Sequence, residues 1–205
     1  MDVSAASSSQ DDPSPYSSAP HGVPKKPIFL IGGAPGTGKS TLAARVSDRL
    51  MVDHRIGTGF IRAVVQSEIS AEAEPELFSM TFQADDPVAH LELQATRLQG
   101  AVMACVDRAR REGTSLVVEG SHLIPALYAG AGVDLFVVLV APAPEEHLSR
   151  LRGPTHVHRK IDASDWSKVQ ELDRYYRREA ERWRVPVMVF EDLEAMIGLL
   201  EGDQG

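Results

Sequence analysis

The sequence predicts an α/β fold in which a five-stranded parallel sheet lies between two layers of helices. Short apolar runs alternate with amphipathic helical stretches, and most of these runs are apolar at every position, as in strands covered on both faces. Strands that alternate with helices are joined by right-handed crossovers, so they form a parallel sheet in a three-layer sandwich. The predicted strands are residues 28–31, 115–118, 135–140 and 187–190, with a weaker one at 54–57.

Apolar residues that recur every three or four positions predict the helices between these strands. The first follows residue 38, a long one runs from about residue 88 to 112, and a short one from 145 to about 151. Two more are predicted over residues 166–183 and 193–200. The pattern thus accounts for most of the chain after residue 27.

Composition divides the 205 residues into one domain and a tail. Residues 1–26 are rich in Ser, Pro, Ala and Asp and have almost no large apolar side chains, so they are predicted to be a disordered tail. The remaining residues, 27–205, are predicted to form a single domain, because the chain is 43% hydrophobic and can bury one sizeable core.

Charge and cysteine content exclude several classes of protein. The formal net charge of −8 argues against a general binder of nucleic acids or anionic membranes. No apolar run reaches the roughly 18 residues that a membrane span needs. The N-terminus has no secretory signal, and Cys105 is the only cysteine, so a cytoplasmic protein without an intrachain disulfide is expected.

A glycine-rich phosphate-binding motif, the P-loop, carries the strongest chemical signal. It matches G-x-x-x-x-G-K-[ST] between a predicted buried strand and a predicted helix, which is where such a loop must lie. Backbone N–H groups and the helix N-terminus would surround the phosphates of ATP, Lys39 would reach the β- and γ-phosphates, and Ser40 would ligate Mg²⁺. The predicted cofactor-binding residues are Gly33, Ala34, Pro35, Gly36, Thr37, Gly38, Lys39, Ser40 and Thr41.

A second candidate site follows the predicted strand at residues 115–118. Ligands of open α/β sheets collect at the carboxyl ends of strands, and Glu119 comes directly after this one. Glu119 is therefore a candidate for the Mg²⁺ shell, for accepting a hydroxyl proton, or for both, although a carboxylate could simply cap the next segment. His122 is a candidate substrate contact, and a purely local hydrogen bond is the alternative.

A third candidate site is the basic segment at about residues 150–164. It follows a predicted short helix and combines cations with Gly and Pro. This composition predicts a mobile lid in which Arg150 and Arg152 stabilise charge during phosphoryl transfer, and a plain surface loop is the alternative. His156 and His158 do not have persuasive metal-ligand spacing, because no cysteine or carboxylate completes a set nearby.

With these sites identified, the chain resembles the 2-phosphoglycerate kinase family, within the P-loop small-molecule and nucleoside-monophosphate kinases. The resemblance runs from about residue 27 to 190 and is carried by residues 31–41, 57–62, 118–125 and 185–187. Residues 119–125, Glu-Gly-Ser-His-Leu-Ile-Pro, are the most specific part. The resemblance implies a sheet in the order 2-3-1-4-5 and ATP-dependent phosphorylation of a hydroxyl on a phosphorylated or carboxylated acceptor.

One position departs from the family pattern. The family usually has Asp after the second strand, positioned to engage the acceptor hydroxyl, where this chain has Gly59. Three explanations are open. Glu119 would act as the only base, the acceptor would differ from that of the family, or the kinase activity would be weak. Arg62 is retained and is a candidate to bind an acceptor carboxylate or phosphate, with an ordinary surface arginine as the alternative.

The predicted function is therefore a small-molecule kinase that uses ATP and Mg²⁺. Its acceptor would be 2-phosphoglycerate, a related hydroxy acid or a larger hydroxylated metabolite, and an anionic one is expected. A nucleoside or nucleotide kinase is an alternative, although no base-recognition pocket is evident in the sequence. A nucleotide-dependent regulator that docks a partner through its tail is the alternative outside enzymes.

Overall fold

The computed structural model describes residues 26–153 and 162–202, with side chains as far as residue 198. It confirms the predicted sheet: five parallel strands lie in the order β2-β3-β1-β4-β5. The strands are β1 (Ile28–Gly32), β2 (His54–Gly57), β3 (Leu116–Glu119), β4 (Leu135–Leu139) and β5 (Val187–Met188). The predicted tail, except for Lys26, and part of the predicted lid, residues 154–161, lie outside the described residues.

Seven α-helices and two short 3₁₀ turns occupy the described part of the chain around the sheet. The helices are α1 (Lys39–Leu50), α2 (Thr58–Gln66), α3 (Pro87–Glu112), α4 (Pro125–Tyr128), α5 (Pro144–Leu151), α6 (Ala163–Trp183) and α7 (Leu193–Gly202). The 3₁₀ turns are Pro75–Phe78 and Thr81–Gln83. The sequence pattern does not predict α2, α4 or the turns. Helix α2 starts after Gly57, which offers no side chain to cap it. No helix within the described residues is both long and apolar enough to cross a membrane.

The central strand β1 divides the core into two apolar clusters. Ile28 and Leu30 belong to a cluster that includes residues of α3, α4 and α6, whereas Phe29 and Ile31 belong to one that includes residues of α1 and α7. Alternate side chains of a strand point to opposite faces, so both faces of the sheet are covered. This arrangement explains why β1 is apolar at every position.

The pairing of β1 with β3 brings two predicted functional segments together. Ile31 in β1 is paired with Glu119 in β3, and the Gly120 N–H donates to the Ile31 carbonyl oxygen at 3.0 Å. The strands are parallel, so both end at the same edge of the sheet. The loop after β1 and the carboxylate at the end of β3 therefore share this edge.

Two fully buried tyrosines differ in how their hydroxyl groups are satisfied. The Tyr176 hydroxyl donates to the Ser121 carbonyl oxygen just after β3. The Tyr128 hydroxyl has no hydrogen-bond partner among the described residues, and burial raises its pKa. An unpaired buried hydroxyl costs free energy, whereas a paired one offsets its desolvation.

We therefore expect Tyr128→Phe and Tyr176→Phe to change the free energy of unfolding differently. Tyr128→Phe should be neutral or stabilising, and Tyr176→Phe should cost about 1 kcal/mol, because it removes the hydrogen bond to the half-buried Ser121 carbonyl. Urea unfolding of the two variants, each followed by circular dichroism, measures the difference. Equal destabilisation by both substitutions would contradict this account of the core.

Candidate functional site

A cavity of about 1040 Å³ lies at the edge of the sheet where β1, β2 and β3 end. The loop after β1 lines one end, and α2 with the second 3₁₀ turn lines the other. Glu119 and His122 line the cavity as well. The structure thus brings the P-loop, the end of β3 and the region of Arg62 to a single cavity.

The P-loop has the backbone that the motif predicts. Gly33, Gly36 and Gly38 have φ values of 142°, 81° and 96°, in the region that favours glycine. A Cβ atom on Gly33 would also lie 2.2 Å from the Leu139 carbonyl oxygen. Helix α1 begins at Lys39, and among the described residues no side chain caps its N-terminus. Its first N–H groups are therefore available to an anion.

Lys39 is held over the loop from which it extends. Its Nζ donates to the Ala34 carbonyl oxygen at 2.6 Å, and the Thr37 hydroxyl donates to the same oxygen at 3.0 Å. The side chain is buried, yet it lines the cavity. An ammonium group in this position would add its charge to the N-terminal end of α1 when phosphates enter the loop.

Ser40 and Glu119, the two predicted magnesium ligands, are in direct contact. The Ser40 hydroxyl donates to Oε1 of Glu119 at 2.9 Å. The contact joins residues 79 positions apart and depends on the pairing of β1 with β3. Among the described residues there is no group of three or more His, Cys, Asp or Glu side chains that could hold a metal ion. Two oxygen donors side by side do fit Mg²⁺, which usually binds one or two protein oxygens and takes the rest from phosphates and water.

The two predicted lid arginines have different surroundings. Arg150 lines the cavity, donates to the Thr37 carbonyl oxygen at 3.3 Å, and forms ion pairs with Glu146 and, at 2.8 Å, with Glu191. Arg152 follows the end of α5, is exposed, and does not line the cavity. The structure therefore brings Arg150 to the site and leaves Arg152 outside it.

Phe190 is a cavity residue that the sequence analysis missed. The sequence pattern predicts a strand over residues 187–190, but β5 ends at Met188, so Phe190 lies beyond the strand. Its ring packs against the P-loop, 3.0 Å from where a Cβ on Gly38 would lie. The guanidinium carbons of Arg45 and Arg150 lie 4.7 and 5.2 Å from the ring centroid, close enough for cation–π attraction. No local sequence signal marks this contact, because the partners of Phe190 lie in α5 and in the P-loop with the helix that follows it.

His122 is buried inside a polar network that also includes Gln94, a second residue missed by the sequence analysis. The Thr58 hydroxyl lies 2.9 Å from His122 Nδ1, and Gln94 Oε1 lies 3.0 Å from His122 Nε2. Burial, together with the nearby charges of Arg62 and Lys39, lowers the pKa of His122 to about 3. The ring is therefore neutral at physiological pH. Because Oε1 can only accept, Nε2 carries the proton and Nδ1 accepts from Thr58.

This network stabilises the end of the cavity that α2 and the second 3₁₀ turn line. Gln94 on α3 donates through its amide nitrogen to the Glu76 carbonyl oxygen and to that of Ser79 at 3.0 Å. Arg62 on α2 donates to the same Ser79 oxygen at 3.3 Å. The segment that carries both 3₁₀ turns is thereby fixed against α2 and α3. Both ring nitrogens of His122 are occupied in this structure, which favours the local hydrogen bonds over the predicted contact with substrate.

Gly59, the departure from the family pattern, lies at an open point of the cavity. The residue is exposed in the first turn of α2 and lines the cavity. A Cβ atom built on it would meet no atom within 4 Å. Steric exclusion of a side chain therefore does not explain glycine here.

Comparison with known protein families identifies the domain. Residues 29–184 match the family model described as AAA domain, which spans most of the chain. The chain belongs to the AAA-domain family. The matched region contains the P-loop, Glu119 and Arg150, but it ends before Phe190.

Curated relatives of this AAA domain confirm the resemblance inferred from the sequence. A protein of Pyrococcus horikoshii named 2-phosphoglycerate kinase is 30% identical over 190 residues, covering 86% of this chain. One of Methanocaldococcus jannaschii with the same name is 32% identical over 181 residues, covering 78% of this chain. The alignments span only 63% and 57% of those two proteins' own lengths.

A solved structure supports the same fold. Shikimate kinase from Acinetobacter baumannii, in complex with shikimate, superimposes with a TM-score of 0.54 at 12% identity. The match covers 87% of this chain and 94% of the shikimate kinase chain. Similarity at this level of identity concerns the fold alone.

The low pKa of His122 predicts how acid affects the stability of the AAA domain. The folded state binds a proton at His122 only near pH 3, whereas the unfolded chain binds one near the ordinary value of 6.5. The unfolded state therefore binds more protons between these values, and stability should fall as pH drops from about 6.5, by at most roughly 1.4 kcal/mol per pH unit from this group.

The variant His122→Gln separates the effect of His122 on stability from that of other titrating groups. The free energy of unfolding should be larger for the wild-type protein than for His122→Gln at pH 7, and this difference should become smaller as the pH falls to 4.5. Urea unfolding of both proteins at half-unit pH steps measures the free energy of unfolding. Parallel curves for the two proteins would show that His122 does not remain neutral when folded.

Proposed function

We propose that this protein is an ATP-dependent kinase that transfers the γ-phosphoryl group to a hydroxyl of a small anionic molecule. One observation carries the proposal: the P-loop and Glu119 meet at the Ser40 contact inside a cavity that continues to Arg62. Phosphoryl transfer depends on positioning and on charge stabilisation, and this cavity offers both. Relatives named 2-phosphoglycerate kinase support the same class of reaction.

The P-loop end of the cavity would bind the phosphates of ATP. The N–H groups of the loop and of the first turn of α1 would donate to phosphate oxygens, and Lys39 would leave the Ala34 carbonyl to reach the β- and γ-phosphates. Arg150 already contacts the loop at Thr37 and would move from its glutamate partners onto the transferring group. Both cations would then stabilise charge that increases during transfer.

Ser40 and Glu119 would hold Mg²⁺ through their adjacent oxygens. When bound, the ion would supply charge neutralisation at the phosphates. Glu119 also lies between Ser40 of the P-loop and Gly57 at the start of α2, where an acceptor hydroxyl would approach the γ-phosphate. Its carboxylate would orient that hydroxyl and accept its proton.

The opposite end of the cavity would bind the acceptor. Arg62 supplies a cation there, held by its hydrogen bond to Ser79, and a guanidinium suits a carboxylate or phosphate. The buried His122–Gln94 pair would keep this end preformed without contacting the acceptor. Because Gly59 has no side chain, no carboxylate at this position would assist Glu119.

An acceptor-panel assay with mass detection tests the proposal. Purified protein with Mg-ATP and a mixture of hydroxylated anions should form one phosphorylated product together with ADP. Lys39→Ala, which keeps the loop and removes the charge, should abolish product formation. ATP hydrolysis at a rate that does not depend on any added acceptor would instead favour a nucleotide-dependent regulator. Phosphoryl transfer to nucleosides would favour a nucleoside kinase.

Glu119→Gln separates chemistry from nucleotide binding. The amide keeps the shape of the carboxylate but can neither accept the hydroxyl proton nor carry negative charge. Turnover should fall by roughly 10²–10⁴-fold, the range typical of a general base, while ATP binding measured without Mg²⁺ changes little. A Glu119→Gln enzyme with near-normal kcat would remove Glu119 from the mechanism.

Arg150→Ala and Arg152→Ala form a matched pair two residues apart. Arg150→Ala should lower kcat by about 10²-fold, as expected for a group that stabilises the transition state, with little change in ATP affinity. Arg152 has an exposed side chain outside the cavity lining, so Arg152→Ala should cost much less. Steady-state kinetics of both variants measures the contrast. Equal losses would mean that both arginines reach the transferring phosphate.

A further inference from the structure

An exposed aromatic ring stands beside the candidate catalytic carboxylate. Phe60, in the first turn of α2, lines the cavity and is 76% exposed. The position that a Cβ on Gly57 would occupy lies 3.8 Å from Cδ2 of Phe60 and 2.9 Å from Oε1 of Glu119. The ring edge and the carboxylate therefore flank the same small volume, close to where the acceptor hydroxyl must lie.

The cavity that Phe60 lines contains further apolar side chains. Phe82 is buried, Met80 is half-buried, and both line the cavity at the acceptor end. Neighbouring Gly59 leaves open space where a side chain could project. Single exposed apolar residues are common on protein surfaces, but this one borders the reacting groups, where a ligand would remove its ring from water.

We infer that the acceptor carries an apolar ring or chain next to the hydroxyl that is phosphorylated, and that Phe60 determines specificity by packing against it. The inference rests on the proposed kinase function and narrows its substrate to hydroxy acids with an aryl or alkyl substituent. The acid group would bind Arg62 and the hydroxyl would face Glu119. A three-carbon acid without such a substituent would leave the Phe60 ring in water and gain nothing from it.

The reaction balances with this acceptor. The hydroxyl oxygen forms a bond to the γ-phosphorus of ATP while the bond from that phosphorus to the β–γ bridging oxygen breaks. The hydroxyl proton passes to Glu119 and then to solvent. The products are ADP and the phosphate monoester of the hydroxy acid.

Binding of paired hydroxy acids to the full-length protein tests the inference. Lactate and 3-phenyllactate differ by one phenyl group, and 2-phosphoglycerate represents a polar acceptor. Calorimetric titration of each, in the presence of Mg²⁺ and a non-hydrolysable ATP analogue, gives its Kd. We expect 3-phenyllactate to bind at least about tenfold more tightly than lactate, in line with the discrimination that apolar pockets achieve. It should also bind more tightly than 2-phosphoglycerate.

Phe60→Ala and a matched control test whether the Phe60 ring causes the preference for 3-phenyllactate over lactate. Phe60→Ala should bring the ratio of the Kd values for lactate and 3-phenyllactate close to one. Val64→Ala should leave it unchanged, because Val64 lies one turn further along α2, is 68% exposed and does not line the cavity. Retention of the preference in Phe60→Ala, or its loss in Val64→Ala, would overturn the assignment to Phe60.

The same titrations separate this inference from the proposed function. Tighter binding of 2-phosphoglycerate, equal binding of the lactate pair, or binding of none of the three acids would overturn the inference. Binding of the ATP analogue, measured first and compared with Lys39→Ala, tests the nucleotide site independently. If the protein binds the ATP analogue but binds 2-phosphoglycerate more tightly than 3-phenyllactate, the kinase proposal stands and the inference of an apolar acceptor is wrong.

Discussion

The parallel pairing of β1 with β3 is the constraint on which the site depends. It places Ile31 beside Glu119, so that the loop after β1 and the carboxylate at the end of β3 lie at the same edge of the sheet. Because side chains alternate along a strand, a slip of one residue would turn Glu119 to the opposite face of the sheet and separate it from Ser40. The hydrogen bonds from the N–H groups of Leu116 and Gly120 to the carbonyl oxygens of Pro27 and Ile31 hold the register that creates the Ser40–Glu119 contact.

Charge in the cavity is distributed around that contact. Lys39 and Arg150 lie at the P-loop end and Arg62 at the other, so an anion at either end meets positive charge. Burial, with the charges of Arg62 and Lys39, lowers the pKa of His122 and keeps its ring neutral. A neutral imidazole can donate to Gln94 and accept from Thr58 at once, which fixes the wall without adding a further charge. The acceptor end is thus organised by hydrogen bonds, and the nucleotide end by cations and backbone N–H groups.

The sequence predicted those parts of the site whose chemistry is local or follows directly from the fold. The P-loop is a contiguous motif, and Glu119 follows a buried strand whose end must lie at the ligand-binding edge. Gln94 and Phe190 were missed because each acts through partners that are distant along the chain. Helix α2 was missed because its glycine-flanked start lacks a capping side chain. The predicted roles of Arg150 and Arg152 could not be separated from composition, since only the end of α5 determines which of them lines the cavity.

A double-mutant cycle on Ser40 and Glu119 tests the central claim most directly. The measurement is the affinity for Mg-ATP, by calorimetry, of the wild-type protein, Ser40→Ala, Glu119→Gln and the double variant. If both oxygens hold the same ion, the double variant should lose little more than the worse single variant, a coupling of about 1 kcal/mol or more. Losses that add to within about 0.5 kcal/mol would show that the two residues act independently and would contradict a shared magnesium site at this edge of the sheet.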